Sequence, residues 1–221
     1  MKIFITFIFA SCLSFCKAQT CICNRLPELS DFVDCKGITF SNNAKVYWQY
    51  NCDSSWFVFE NKNIKKTIYS LEMIGLTGRI GYSYITEYTQ TFLIQNRLIS
   101  GCCQPPEFIL FDKTTGREIE NLGQLLFYSE DKNYPFVVNI SDNFDYLIVT
   151  NFETHKKTKT SLPKDKIKAS LHDLPEMYPE FLFENSAINN GVFTTTLTTK
   201  NPQKEDYKRQ IIKINLNDKL K

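Results

Sequence analysis

Apolar and polar residues alternate in short bursts along most of this chain, and the bursts predict strands. From Ile38 onward, aromatic and β-branched clusters are separated by turns rich in Asn, Asp, Gly and Lys. The pattern predicts strands over 45–50, 55–60, 64–71, 80–87, 91–99, 107–112, 117–119, 124–128, 135–140, 145–151, 157–161, 180–184, 191–198 and 209–216. Only two stretches carry a helical period. Leu26, Leu29, Phe32 and Val33 predict a short helix within 24–35, and Ile167, Leu171 and Leu174 predict another within 163–175, entered at Pro163 and stopped at Pro175.

So many short strands at close spacing predict an all-β fold, and a weak internal repeat narrows the choice. Phe57–Asn61, Phe108–Asp112, Tyr146–Asn151 and Phe181–Asn185 share an aromatic start, an apolar run and a polar turn, with starts at 57, 108, 146 and 181. Such spacing predicts a β-propeller-like meander of about four hairpin units, with a two-sheet β-sandwich as the alternative. The turn Asp112-Lys113-Thr114-Thr115-Gly116 resembles the D-x-x-T-G-x hairpin of many β-propeller repeats, which implies the same fold.

That turn closes the most organised stretch of the chain, Gly101 to Ile119. Cys102 and Cys103 are adjacent, Pro105-Pro106 follows, and Phe108-Ile-Leu-Phe111 then runs four apolar residues without a break. An unbroken apolar run predicts a buried strand. The stretch therefore reads as a covalent anchor feeding a buried strand that reverses at Gly116 into a second strand.

The first 18 residues have a different pattern: Lys2, an apolar run from Ile3 to Phe15, then Cys16-Lys17-Ala18 before Gln19. This is the pattern of a secretory signal peptide cut after Ala18, leaving residues 19–221 as one β-rich domain. A lipid anchor at Cys12 is the weaker reading, because Phe9 stands where a lipoprotein box has Leu. The apolar run falls short of the roughly 20 residues a membrane helix needs. The expected location is secreted or periplasmic, with no transmembrane segment.

Export changes the meaning of the cysteines and the charge. Cleavage leaves Cys21, Cys23, Cys35, Cys52, Cys102 and Cys103, an even set that predicts disulfides in an oxidising compartment. The expected pairing staples Cys21 and Cys23 to Cys102 and Cys103 and joins Cys35 to Cys52. Only His155 and His172 are present, neither beside a cysteine, so no metal site and no cofactor is expected. Loss of Lys2 and Lys17 takes the formal charge from +2 to zero, which argues against nucleic acid as a partner.

Catalytic motifs are missing: there is no Gly-x-Ser-x-Gly elbow, no His-Glu-x-x-His and no phosphate-cradling glycine loop. Ser161-Leu-Pro-Lys164 has Ser-x-x-Lys spacing but reads as a helix entry. Glu60, Glu87, Asp112 and Glu184 fall at strand ends, where a carboxylate pair for hydrolysis would have to come from. Two binding candidates remain. Lys156, Lys157, Lys159, Lys164, Lys166 and Lys168 crowd 13 residues holding one acid, Asp165, and would meet an acidic protein or an anionic glycan. Lysines on an edge hairpin also keep it from pairing with other chains. Trp48 and Trp56, with Tyr47 and Tyr50, would form an aromatic platform if exposed, although both tryptophans are expected in the core.

These readings converge on an exported, non-catalytic recognition protein for an envelope protein or glycan, of the inhibitor or immunity type. A hydrolase using turn-borne carboxylates and a structural subunit of an envelope assembly are the alternatives.

Overall fold

A computed structural model of the chain describes residues 21–99, 104–131, 134–154, 156–172, 178–200 and 206–216. The expected signal peptide, the Cys12 anchor, Cys102, Cys103 and His155 lie outside the described residues. The fold is all-β, built from four small antiparallel sheets whose strands follow one another in sequence order. The first sheet takes β1 (Ile38–Thr39), β2 (Lys45–Tyr50), β3 (Ser55–Glu60) and β4 (Lys65–Leu71). The second takes β5 (Gly81–Glu87), β6 (Thr91–Arg97), β7 (Glu107–Asp112) and β8 (Glu118–Gln124). The third holds β9 (Phe127–Tyr128), β10 (Phe136–Ile140), β11 (Tyr146–Asn151) and β12 (Lys157–Ser161), and the fourth β13 (Phe183–Asn189), β14 (Val192–Lys200) and β15 (Tyr207–Asn215).

Alternation along the strands decides how the sheets stack. In β6, Phe92 and Ile94 join a buried cluster with Val46, Trp48, Phe57 and Phe59 of the first sheet. Leu93, between them, packs with Val137 of the third sheet. Ile109 and Phe111 of β7 divide in the same way from Phe108 and Leu110. The unbroken apolar run is thus a strand covered on both faces, as period-2 geometry requires. The third sheet repeats the arrangement, with Val137 facing the second sheet and Phe136, Val138 and Ile140 packing with Phe193, Leu197, Ile212 and Ile214 of the fourth. Three buried clusters therefore join the sheets in series.

The sequence repeat maps onto this series for three of its four members. Phe57, Phe108 and Tyr146 each fall in the third strand of a four-stranded meander. The fourth member departs: Phe181 lies in a 3-10 turn, Pro179–Leu182, and β13 begins only at Phe183.

Both helices form, one much shortened. The second, α2 (Lys164–His172), follows Pro163 as expected and buries Ile167 in the cluster between the third and fourth sheets. The first is a single turn, α1 (Leu29–Phe32), which buries Leu29 and leaves Phe32 71% exposed. Two disulfides hold the segment around it, Cys21 to Cys35 and Cys23 to Cys52. This corrects the expected pairing. The α1 turn folds the arm back so that the Cys21 and Cys35 Cα atoms stand 6.4 Å apart, while the β2–β3 turn brings Cys52 within 4.8 Å of Cys23, both within bridging range. No helix of the described residues is long and apolar enough to cross a membrane.

A groove on the outer face of the first sheet

The first sheet ends the stack, so one of its faces meets the second sheet and the other meets the N-terminal arm and solvent. Inward go Val46, Trp48, Phe57 and Phe59. Trp48 is buried, 8% exposed, and its indole Nε1 donates to the Tyr82 carbonyl at 3.2 Å. Its expected core place is met. Trp56 alternates to the outer face, where it is half-buried and pairs across the strands with Gln49. Trp56 Nε1 donates to Gln49 Oε1 at 2.9 Å, so the Gln49 amide nitrogen remains as a donor with no protein partner among the described residues.

On the same face, the Tyr47 hydroxyl donates to Glu60 Oε2, and Lys45 and Lys65 flank that carboxylate at 3.2 and 3.8 Å. The two ammonium groups also lie over the Tyr47 ring, 5.1 and 5.7 Å from its centroid. The Tyr47 bond, with the two lysines, holds the Glu60 carboxyl below its usual range against a smaller opposing effect of burial. Burial, with Glu60 beside it, pushes the Tyr47 hydroxyl well up, so it remains a donor. The resulting row of Glu60, Tyr47, Gln49 and Trp56 is polar, aromatic and held by its own bonds.

The arm walls this face to make a groove of about 710 Å³, lined by Asp31, Phe32, Asp34, Lys36, Tyr47 and Gln49 among others. Several local features fix the wall. The two disulfides anchor it at Cys21, Cys35 and Cys52, Arg25 Nη2 reaches Asp53 at 2.7 Å, and the Cys21 N–H donates to the Tyr50 carbonyl at 3.1 Å. Gly37 makes the close crossing over β2: with φ at +73°, a Cβ there would fall 2.2 Å from the Val46 oxygen.

The six lysines occupy a different region. Lys157 and Lys159 point outward from β12, the edge strand of the third sheet, and Lys166 and Lys168 are exposed on α2. Several are engaged within the chain: Lys157 with Glu120 at 3.3 Å, Lys164 with Asp145 at 2.8 Å, and Lys159 over the Tyr146 ring at 5.6 Å. Lys156 likewise has a partner in the chain. The lysine positions suit protection of an open sheet edge.

The four carboxylates at strand ends are dispersed rather than paired. Glu60 belongs to the row above. Glu87 Oε2 meets Lys113 Nζ at 2.6 Å, and the Glu87 carboxylate accepts from the Ser41 N–H and hydroxyl. Burial works to raise the Asp112 carboxyl, but bonds from the Thr114 and Thr115 N–H groups and the Thr115 hydroxyl outweigh it and hold it low. Glu184 faces Arg209 at 3.9 Å. His172 is exposed at the end of α2.

Sequence reasoning missed two features. A cleft of about 340 Å³ between the second and third sheets brings Glu107, Asp142 and Glu180 to its walls. Burial pushes the Glu180 carboxyl up, and its Oε2 is enclosed without a partner. Among the described residues no group of three or more His, Cys, Asp or Glu could hold a metal ion. The second feature is a cavity lined by Arg79 and Arg97. No local signal marks either, because each gathers residues from separate elements. Comparison with protein families, with curated proteins and with solved structures finds no match.

Proposed function

We propose that the protein is an exported recognition protein that binds a saccharide chain in the groove between the N-terminal arm and the outer face of the first sheet. The observation that carries this reading is the floor of Tyr47 and Gln49 beside the exposed Phe32, with Trp56 holding the Gln49 amide from the same face of the sheet. Sugars present flat C–H faces and rings of hydroxyls, and they are held by aromatic faces next to amide and carboxylate groups. Aromatic side chains with a polar tip supply that area at low entropic cost. The groove volume lies within the range of small-ligand sites, and its wall is covalently pinned, so little ordering is needed on binding. Two disulfides support work outside the cytosol.

An oligosaccharide array probed with the purified chain tests this reading, followed by titration of the strongest hit. Phe32→Ala and Lys36→Ala should each weaken that hit by about tenfold, the effect of losing one aromatic or charge-assisted contact of 1–2 kcal/mol. They should leave the melting temperature nearly unchanged. Binding that survives both substitutions, or an array without hits, would exclude the groove. Capture of a protein through the same face would replace the saccharide by a protein partner.

A second reading, hydrolysis, draws on Glu180. A carboxyl that burial makes a weaker acid than usual, in a cleft shared with Glu107, is a fit group for general acid work. It requires turnover of a glycan substrate that Glu180→Gln abolishes.

A further inference from the structure

The groove does not end at Phe32. Phe32 also lines two smaller hollows, of about 260 and 250 Å³, and both reach Gly78. Gly78 and Arg79 in turn line a cavity of about 670 Å³ with Gln95, Arg97 and Gln104. A series of hollows with shared walls thus runs from the Tyr47 and Gln49 floor, past an exposed phenyl ring, to a pair of arginines.

The chain sets that pair in place by backbone means. Gly78 has φ +81°, and a Cβ there would stand 3.2 Å from the Phe32 carbonyl oxygen, so the loop passes close under α1 before presenting Arg79. The Arg79 N–H is held by the Leu76 carbonyl at 2.9 Å. Arg97 is the last residue of β6 and lies opposite Gly81 of β5. Gln95, two residues earlier on β6, shares its face. Both arginines are exposed, neither guanidinium has an ion-pair or hydrogen-bond partner among the described residues, and no acidic side chain among those residues lines the cavity.

Two guanidinium groups on one cavity wall, without a carboxylate, call for an anion. Each offers a planar fork of N–H donors that matches two oxygens of one oxyanion, and the two glutamine amides add neutral donors suited to the same group. We infer that the cavity of Arg79, Arg97, Gln95 and Gln104 is an anion subsite for a carboxylate carried on the saccharide chain, so that the ligand is an acidic, uronate-type oligosaccharide. The saccharide part rests on the function proposed above; the anion subsite stands on the arginines alone.

The test follows two sets of NMR signals in the purified chain, the Nε–H groups of Arg79 and Arg97 and the Trp56 indole N–H. The probes are a uronate hexasaccharide, its sulfated counterpart, an uncharged hexasaccharide and sodium acetate. The uronate chain should shift both sets, acetate only the arginine set, and the uncharged chain only Trp56. Arg79→Gln and Arg97→Gln should each weaken the uronate chain by about tenfold, the loss expected for one charge-assisted contact, and leave the uncharged chain unaffected. Arg97→Lys, which keeps the charge without the fork, should restore only part of the loss.

Tighter binding of the sulfated chain through the same arginines would change the oxyanion and overturn the carboxylate assignment. Uronate affinity that is unchanged in both Gln variants would overturn the subsite itself. Arginine shifts with acetate and uronate, but no Trp56 shift with any chain, would uphold the subsite and sink the groove.

Discussion

The junction between the first two sheets and the junction between the last two are made of different materials. The first is aromatic and polar at once. Phe59 stacks on Phe92 with centroids 6.0 Å apart, Phe92 on Phe111 at 5.3 Å, and Tyr69 on Tyr82 at 4.4 Å. Across it runs Lys113, 2% exposed, whose Nζ reaches Glu87, the Tyr88 carbonyl at 2.8 Å and the Ser41 hydroxyl at 2.9 Å. The same turn is gripped through its carbonyls, Lys113 by Asn42 and Thr114 by Asn61. The last junction is mainly aliphatic, with Val138, Ile140, Leu147, Val149, Leu197, Ile212 and Ile214 closed over by Ile167 of α2. Apolar surface tolerates sliding, whereas a buried ion pair with fixed partners accepts one register. The groove and the arginine cavity both lie at the end of the molecule whose register is fixed in this way.

The strongest break in that comparison is Lys113→Ala. It removes the ammonium that faces the Glu87 carboxylate at the first junction and should cost about 3–5 kcal/mol in urea unfolding, the range for breaking a buried pair. Restoring charge balance with Glu87→Gln in the same chain should recover part of the loss. If Lys113→Ala costs no more than an exposed lysine, the polar lock is not what sets the first junction.

Next in size is the covalent wall. Replacing Cys23 and Cys52 together by Ser should lower stability by about 3 kcal/mol, from the loop that the bridge closes. Amide exchange should rise in the arm and the first sheet while the amides of β10 and β14 keep their protection. A uniform rise across both junctions would mean that the molecule opens as one unit.

The smallest effect belongs to Glu180, on the 3-10 turn that leads into the fourth sheet. Its carboxyl is raised from the ordinary 4.5 by burial, so the unfolded chain ionises it more readily than the folded one. Below that value both states are protonated and the group is neutral to stability. As pH rises through the folded value, the cost of a buried charge builds, and it then stays constant. Glu180→Gln should therefore raise the melting temperature at pH 7, by less than about 1 kcal/mol in stability, and change nothing near pH 4. An equal effect at both pH values would assign the change to packing rather than charge.

Much of the architecture was legible because strands declare themselves locally. Phe108 to Phe111 lacked polar alternation for the reason that unbroken runs usually do: both faces are covered. Pro163 and the Ile167 period gave α2 for an equally local reason. The shortened α1 was not legible, since four apolar positions at helical spacing say nothing of two disulfides that bend the arm back after one turn. Lys113 stood in a polar turn that resembled a solvent-exposed hairpin tip. It is buried because that tip inserts between two sheets, and Gly116, at φ +60° with a would-be Cβ 2.4 Å from the Phe59 ring, records how tightly.

By itself, then, the sequence determined most of the strands and their succession along the chain. These follow from period-2 geometry and from turn residues a few positions apart. Cysteine pairing, the burial of Lys113, the groove under the arm and the meeting of Arg79 with Arg97 were decided only by the tertiary structure. Each joins residues from different strands, loops or sheets, and contacts of that kind depend on register and stacking, which no short window of sequence contains.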